Sequence, residues 1–227
     1  MRQDIEFDAE GVTLRGWLYL PDGAGGPVPT VVMAHGFSAV KEMFLDSFAE
    51  AFAAGGLGAL VFDNRNVGAS DGEPRQDFLA PNRDAMDQDR AARYRGESPA
   101  MVPVVDPDPL AVSALPTPDS WEWFSETGKS RASAWSNEVT LRSVEMLMGY
   151  EPSAYLERIS PTPLLMVVAA LDHLTPADLA LEAYQRAREP KKLVLLPGGH
   201  FDAYGKDFEA ASGAARDWFV EHLGRSG

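Results

Sequence analysis

Three continuous apolar runs dictate the architecture open to this chain: Thr30 to Ala34 (TVVMA), Leu57 to Phe62, and Leu164 to Ala170 (LLMVVAA). A run with no polar face suits a strand buried on both sides of a parallel sheet. Lys192 to Leu196 is a fourth such strand. Between the first two runs, Met43 to Ala54 reads as a helix. Phe44, Phe48 and Phe52 fall four apart on one face, and Gly55-Gly56 stop it. Strand–helix–strand alternation implies parallel pairing with right-handed crossovers. Chemistry in such sheets gathers beyond the carboxyl ends of the strands. Here those ends carry His35-Gly36-Phe37, the stretch Asp63 to Gly72, Asp172 and His200. Val12 to Leu20 alternates apolar and polar residues, as a half-buried strand does.

The middle of the chain has a different character. Asp77 to Glu97 is crowded with charge and reads as an exposed helix. Pro99 to Pro118 holds six prolines (Pro99, Pro103, Pro107, Pro109, Pro116, Pro118), which disfavours helix or central strand. Trp121, Trp123, Phe124 and Trp135 follow, with a helix expected over Asn137 to Tyr150. The aromatics read as packing within a lid, with an apolar pocket as the alternative. Order returns near Pro161. Thr175 is placed to cap a helix over Ala177 to Arg188 with Pro176 at its first position, and Phe208 to Leu223 closes the chain. The chain therefore divides into 1–76, the N-terminal part of an α/β core; 77–160, a helical and proline-rich lid; and 161–227, the C-terminal part of the core.

Composition narrows the function classes. A net charge of -14 opposes binding to nucleic acid, which needs a basic surface, and would be repelled by an anionic membrane. It favours a small-molecule substrate. With no cysteine there is no disulfide framework, thiolate metal site or thiol nucleophile. His35, His173, His200 and His222 have no ligand spacing, and no phosphate loop or dinucleotide glycine pattern occurs, so neither metal nor cofactor is expected. The N-terminus lacks an apolar signal region and no run approaches the ~20 residues a bilayer requires, so the expected setting is cytoplasmic.

Asp172 and His200 leave consecutive strands at the same sheet edge, so they can meet above it. An imidazole oriented by a carboxylate is what a general base requires. On spacing alone this stands level with a helix-capping Asp172 and a His200 in a surface loop. The stretches LRGWLYLPDG, VVMAHGFSAVKE, LVFDNRNVGASDGEP, PTPLLMVVAALDHLTP and LVLLPGGHFDAY resemble α/β hydrolases of the dienelactone-hydrolase and Xaa-Pro-dipeptidyl-peptidase-like branch. The likeness covers roughly the first 76 and last 68 residues. It implies a mostly parallel sheet with flanking helices and a helical lid. It implies Asp172 as triad acid, His200 as triad base, and the Phe37 backbone N–H as an oxyanion-hole donor. His35, Asp63, Arg65 and Gly68 correspond to architectural positions.

The nucleophile is the part that is missing. In this family it sits in a G-x-S-x-G elbow between a strand and a helix. Gly68-Ala69-Ser70-Asp71-Gly72 matches literally, but no strand runs directly into it and Gly72-Glu73-Pro74 cannot open a helix. Ser38 follows the oxyanion loop and is a substrate-site candidate without elbow context. Ser113 lies in the proline-rich stretch and Ser212 in the last helix. A strand, elbow helix and further strand need ~30 residues or more, and 77–160 offers none. The resemblance jumps near Arg75-Gln76-Asp77, which implies an internal deletion of central strands. Such a deletion leaves strand edges unpaired unless they meet each other or another chain supplies the pairing, as in an exchanged or homodimeric sheet. Three functions fit: hydrolysis of an ester, thioester or amide of a small acyl substrate; an Asp–His dyad lyase or cyclase without covalent catalysis; or an inactive binding protein.

Overall fold

The computed structural model describes residues 1–65, 67–71, 83–147 and 149–224. The junction expected near Arg75 to Asp77, and Gly72 to Pro74, lie outside them.

The first sheet has the order β1 (Arg2–Asp8), β2 (Thr13–Tyr19), β4 (Gly58–Phe62), β3 (Thr30–Ala34). Strand β1 (Arg2–Asp8) was not apparent in the sequence. Its sequence RQDIEFD is polar and forms a charged outer edge, antiparallel to β2 (Thr13–Tyr19). β2 pairs antiparallel with β4 (Gly58–Phe62), and β4 pairs parallel with β3 (Thr30–Ala34). Gly16 permits the close approach of β2 to β4, since a Cβ there would lie 2.3 Å from the Val61 carbonyl oxygen. Helix α1 (Leu45–Ala54) crosses between β3 and β4. It buries Ala49 and Phe52 against Tyr19, Val31, Leu57, Ala59 and Val61. It starts two residues later than its spacing suggests. Phe44 caps it in the left-handed region, at φ 70°, and turns its ring toward Trp123 and Tyr204.

The second sheet pairs β7 (Leu164–Ala169) and β8 (Lys191–Leu196) in parallel, in register from Leu164 opposite Lys191 to Ala169 opposite Leu196. Among the described residues, no ladder joins the two sheets. They are held together by α6 (Phe208–Leu223), which packs on α1 and on both β7 and β8. Phe219 meets Phe52 edge-on at 5.5 Å, and Phe208 meets Phe48 at 5.0 Å. The two-sided burial expected of the apolar runs is incomplete. Val32, in the middle of β3, is 64% exposed, and Leu195 in β8 is 53% exposed.

Residues 83–147 make up the third described stretch. Helix α2 (Arg83–Tyr94) occupies part of the charged stretch. The proline-rich stretch is irregular except for β5 (Met101–Pro103), which pairs antiparallel with β6 (Glu138–Thr140). The helix expected over Asn137 to Tyr150 is therefore shorter. β-branched Val139 and Thr140 go into the strand, and α4 (Leu141–Leu147) begins only after Thr140. There Thr140 Oγ1 accepts the Ser143 amide at 2.9 Å, as a helix cap does. Helix α3 (Pro118–Ser130) lays Phe124 into a second core with Val40, Met43, Val104, Val105 and Ala132. No described helix is long and apolar enough to cross a membrane.

Candidate active site

His200 opens a 3-10 turn, His200–Tyr204, directly after β8. The approach to it is shaped by two carboxylates that sequence reasoning missed. Asp207 accepts the Gly198 amide at 3.1 Å, and Asp202 accepts the Gly199 amide at 2.5 Å. A Cβ on Gly198 would fall 2.2 Å from the Asp202 carboxylate, so this turn requires glycine. Asp172 leaves the loop after β7, where the Leu171 amide donates to the Gly198 carbonyl at 3.0 Å and ties the two loops. His200 Nδ1 then lies 2.8 Å from Asp172 Oδ2. The structure thus brings together the two side chains singled out by the resemblance.

Asp172 is well supplied with donors. Oδ1 accepts the amides of Leu174 (2.9 Å) and Thr175 (2.8 Å), and Oδ2 accepts the Thr175 hydroxyl at 2.9 Å. Thr175 therefore does not cap the following helix as its position suggested. Pro176 occupies the cap of α5 (Ala177–Arg186), and the Thr175 hydroxyl turns inward to the carboxylate. Burial alone would raise the Asp172 carboxyl. The bonds from Thr175 and His200 outweigh it and hold the group below its ordinary range. A depressed carboxyl stabilises the fold above its unfolded value of about 3.9, and that stabilisation is lost as pH falls through the lower folded value. The difference in urea midpoint between wild type and Asp172→Asn should therefore narrow below about pH 4. A constant difference down to that pH would remove the carboxylate's charge from the account.

The loop after β3 forms the other half. His35 Nε2 accepts the Asn64 amide at 3.1 Å, and its Nδ1 lies 2.9 Å from the Gly36 carbonyl, which assigns the proton to Nδ1. Burial pushes the ring below its usual pKa, so it is a neutral structural group. Beneath the loop sits fully buried Asp63, which accepts the Lys41 amide (2.8 Å), Lys41 Nζ (2.5 Å) and the Ala69 amide (2.9 Å). Burial opposes the Lys41 charge, but hydrogen bonds to Asp63 and Glu42 overcome it and raise the ammonium above its ordinary value. Ser70 is consumed in the same bracing. Its hydroxyl donates to the Asp63 carbonyl and accepts the Arg15 amide, both at 2.8 Å.

Phe37 and Ser38 line a cavity of about 970 Å³ shared with His35, Asn64, Trp135 and Thr140. Ser38 adopts φ 56°, a left-handed conformation uncommon for a residue other than glycine. Its carbonyl accepts Trp135 Nε1–H at 2.8 Å, while its buried Oγ makes no hydrogen bond. His200 and Asp172 are not among the cavity-lining residues. An aromatic path connects the two halves. Phe201, next to His200, stacks on Trp123 at 4.7 Å and meets Phe124, which stacks on Trp135. The aromatics of this stretch thus pack as core, and Trp135 also faces the cavity.

No family model matches the chain. It is 25% identical to a polyketide transferase, GrgF of Penicillium sp., over 98% of this chain and 97% of that protein. It is 26% identical to a thiohydrolase of Eupenicillium brefeldianum (92% and 90%). An uncharacterized protein of Mycobacterium tuberculosis is 31% identical over 93% of this chain and 76% of its own length. The crystal structure of GrgF, an α/β hydrolase, superposes with a TM-score of 0.83 at 22% identity, covering 99% of each chain. The chain has the α/β-hydrolase fold. The alignment of this hydrolase-fold chain with GrgF spans 298 positions, more than its 227 residues. GrgF therefore has internal residues with no counterpart here. Among the described residues, β3 and β7 each pair on one side only.

Proposed function

We propose that this α/β-hydrolase chain acts on the carbonyl of an ester or thioester of a small acyl substrate, with His200 as a general base oriented by Asp172. The substrate class follows the relatives, which are named polyketide transferase and thiohydrolase. The contact of His200 Nδ1 with Asp172 Oδ2 at 2.8 Å carries the reading. With Nδ1–H donated to the carboxylate, Nε2 is left as the basic nitrogen, able to take a proton from water or from a substrate hydroxyl. The Phe37 backbone amide, at the cavity wall, serves as oxyanion donor, with Ser38 beside it as a substrate-site residue. Ser70 is no nucleophile, because its hydroxyl is held by Asp63 and Arg15. The reaction then proceeds by direct attack of water, without an acyl-enzyme.

Short p-nitrophenyl esters and acyl thioesters, assayed beside a fluorophosphonate probe, test this. Slow turnover with no covalent labelling is expected. Labelling of a serine would replace the direct mechanism with a covalent one. Absence of turnover in folded protein would leave the binding role instead.

A further inference from the structure

We infer that Asp202 and Asp207 are positioning residues for the Asp172–His200 pair, fixing the Gly198-Gly199 turn from which His200 is presented.

The turn is held at both of its amides. Asp207 Oδ2 accepts the Gly198 amide at 3.1 Å, and Asp202 Oδ2 accepts the Gly199 amide at 2.5 Å. A Cβ on Gly198 would collide with both carboxylates, so they close on the turn from one side. The two acids are also fixed to each other. The Asp202 carbonyl accepts the amides of Gly205 (3.0 Å) and Asp207 (2.9 Å). Lys206 Nζ lies 2.7 Å from Asp202 Oδ2 and compensates one of the two neighbouring charges.

The peptide unit between Gly198 and Gly199 joins the loop of the acid to the turn of the histidine. Its carbonyl accepts the Leu171 amide at 3.0 Å, one residue before Asp172, and its N–H donates to Asp202. A peptide unit is a rigid plane. Releasing its N–H end lets it rotate, which displaces Leu171-Asp172 on one side and His200 on the other. Asp207 shows that the arrangement is more than helix capping. It stands at the N-cap of α6, where an aspartate ordinarily accepts an amide of its own first turn. It makes no such bond, and its carboxylate reaches back nine residues to Gly198 instead. Precision is what these bonds supply. A working constellation must be held within about 0.5 Å by its supporting shell, and a misplacement of about 1 Å can cost about 10²-fold in rate.

The consequence for rate rests on the reading of His200 as general base; the consequence for the Asp172–His200 contact does not. Imidazole NMR of the full chain carrying isotope-labelled histidine reads that contact, with His200→Ala to assign the signal. Wild type should show His200 protonated at Nδ1, with a low-field proton shared with Asp172. Asp202→Ala and Asp207→Ala should each displace or broaden that resonance. They should also lower kcat for short esters and thioesters about tenfold or more, with KM within about twofold. Asp202→Asn and Asp207→Asn keep an acceptor oxygen in place, so both readouts should return close to wild type. Should the alanine variants not fold, hydrogen exchange of the wild type decides: the Gly198 and Gly199 amides should exchange at least about a hundredfold slower than unprotected amides. Folded alanine variants with an unchanged His200 resonance, or Gly198 and Gly199 amides that exchange freely, would overturn the inference. A displaced resonance with an unaltered rate would sustain the positioning role and count against His200 as the base.

Discussion

Asp63→Ala should destabilise the protein by about 3 kcal/mol or more, measured as a loss of urea midpoint at constant slope. Asp63 is fully buried and satisfies three donors at once, two of them from Lys41. Its removal strands a buried ammonium and two backbone amides, and the penalty for each comes from groups left behind rather than from the bond lost. Lys41 keeps Glu42 at 2.8 Å, which places the cost toward the lower part of the range for a broken buried pair. Asp63→Asn preserves shape and should cost less. Near-wild-type stability of Asp63→Ala would show that the clamp under the 35–41 loop is dispensable.

That clamp also shows where sequence reading stops. The strands at Thr30 and Leu57 were legible because an uninterrupted apolar run has few alternatives, and the closing helix because Trp218, Phe219 and Leu223 give Phe208 to Leu223 side chains that can pack. Asp172 and His200 could be singled out because their positions at two strand ends are local facts. Asp63 was visible only as an architectural position, since nothing in its neighbours reveals that Lys41, on another loop, buries its ammonium against it. Thr175 was misassigned for a related reason. Thr-Pro before a helix is a good capping signal, but a carboxylate three residues earlier competed for the hydroxyl and won. The helix over Asn137 to Tyr150 lost its first turn because pairing with Met101–Pro103, distant in sequence, captured Val139 and Thr140.

The second large effect concerns rate. His200→Ala should lower turnover of short esters and thioesters by about 10²- to 10⁴-fold, the contribution of a well-placed general base. Its stability should change little, because the imidazole is partly exposed and its loss leaves Asp172 with three other donors. Thr175→Val is the companion variant. It removes a hydroxyl that sits 2.9 Å from Asp172 Oδ2 and 3.3 Å from His200 Nδ1, so it perturbs orientation while retaining both reacting groups. A smaller loss of rate is expected, with the pH profile keeping its shape. Initial rates and circular dichroism on the three proteins separate these effects. An unchanged rate in His200→Ala would remove the imidazole from the chemistry.

Helix α6 is the member that spans both sheets, with Phe219 and Phe208 on the α1 side and its other contacts on β7 and β8. In an unbroken ladder, strain at one strand is passed on through directional bonds. A greased helical joint transmits it through side-chain contact instead, and such contact tolerates small sliding. The halves that carry Phe37 and His200 are therefore joined by packed side chains, the α6 contacts together with Phe201 and Tyr204 against the 40–48 segment and Trp123, and the distance between donor amide and imidazole is set by that packing rather than by strand pairing.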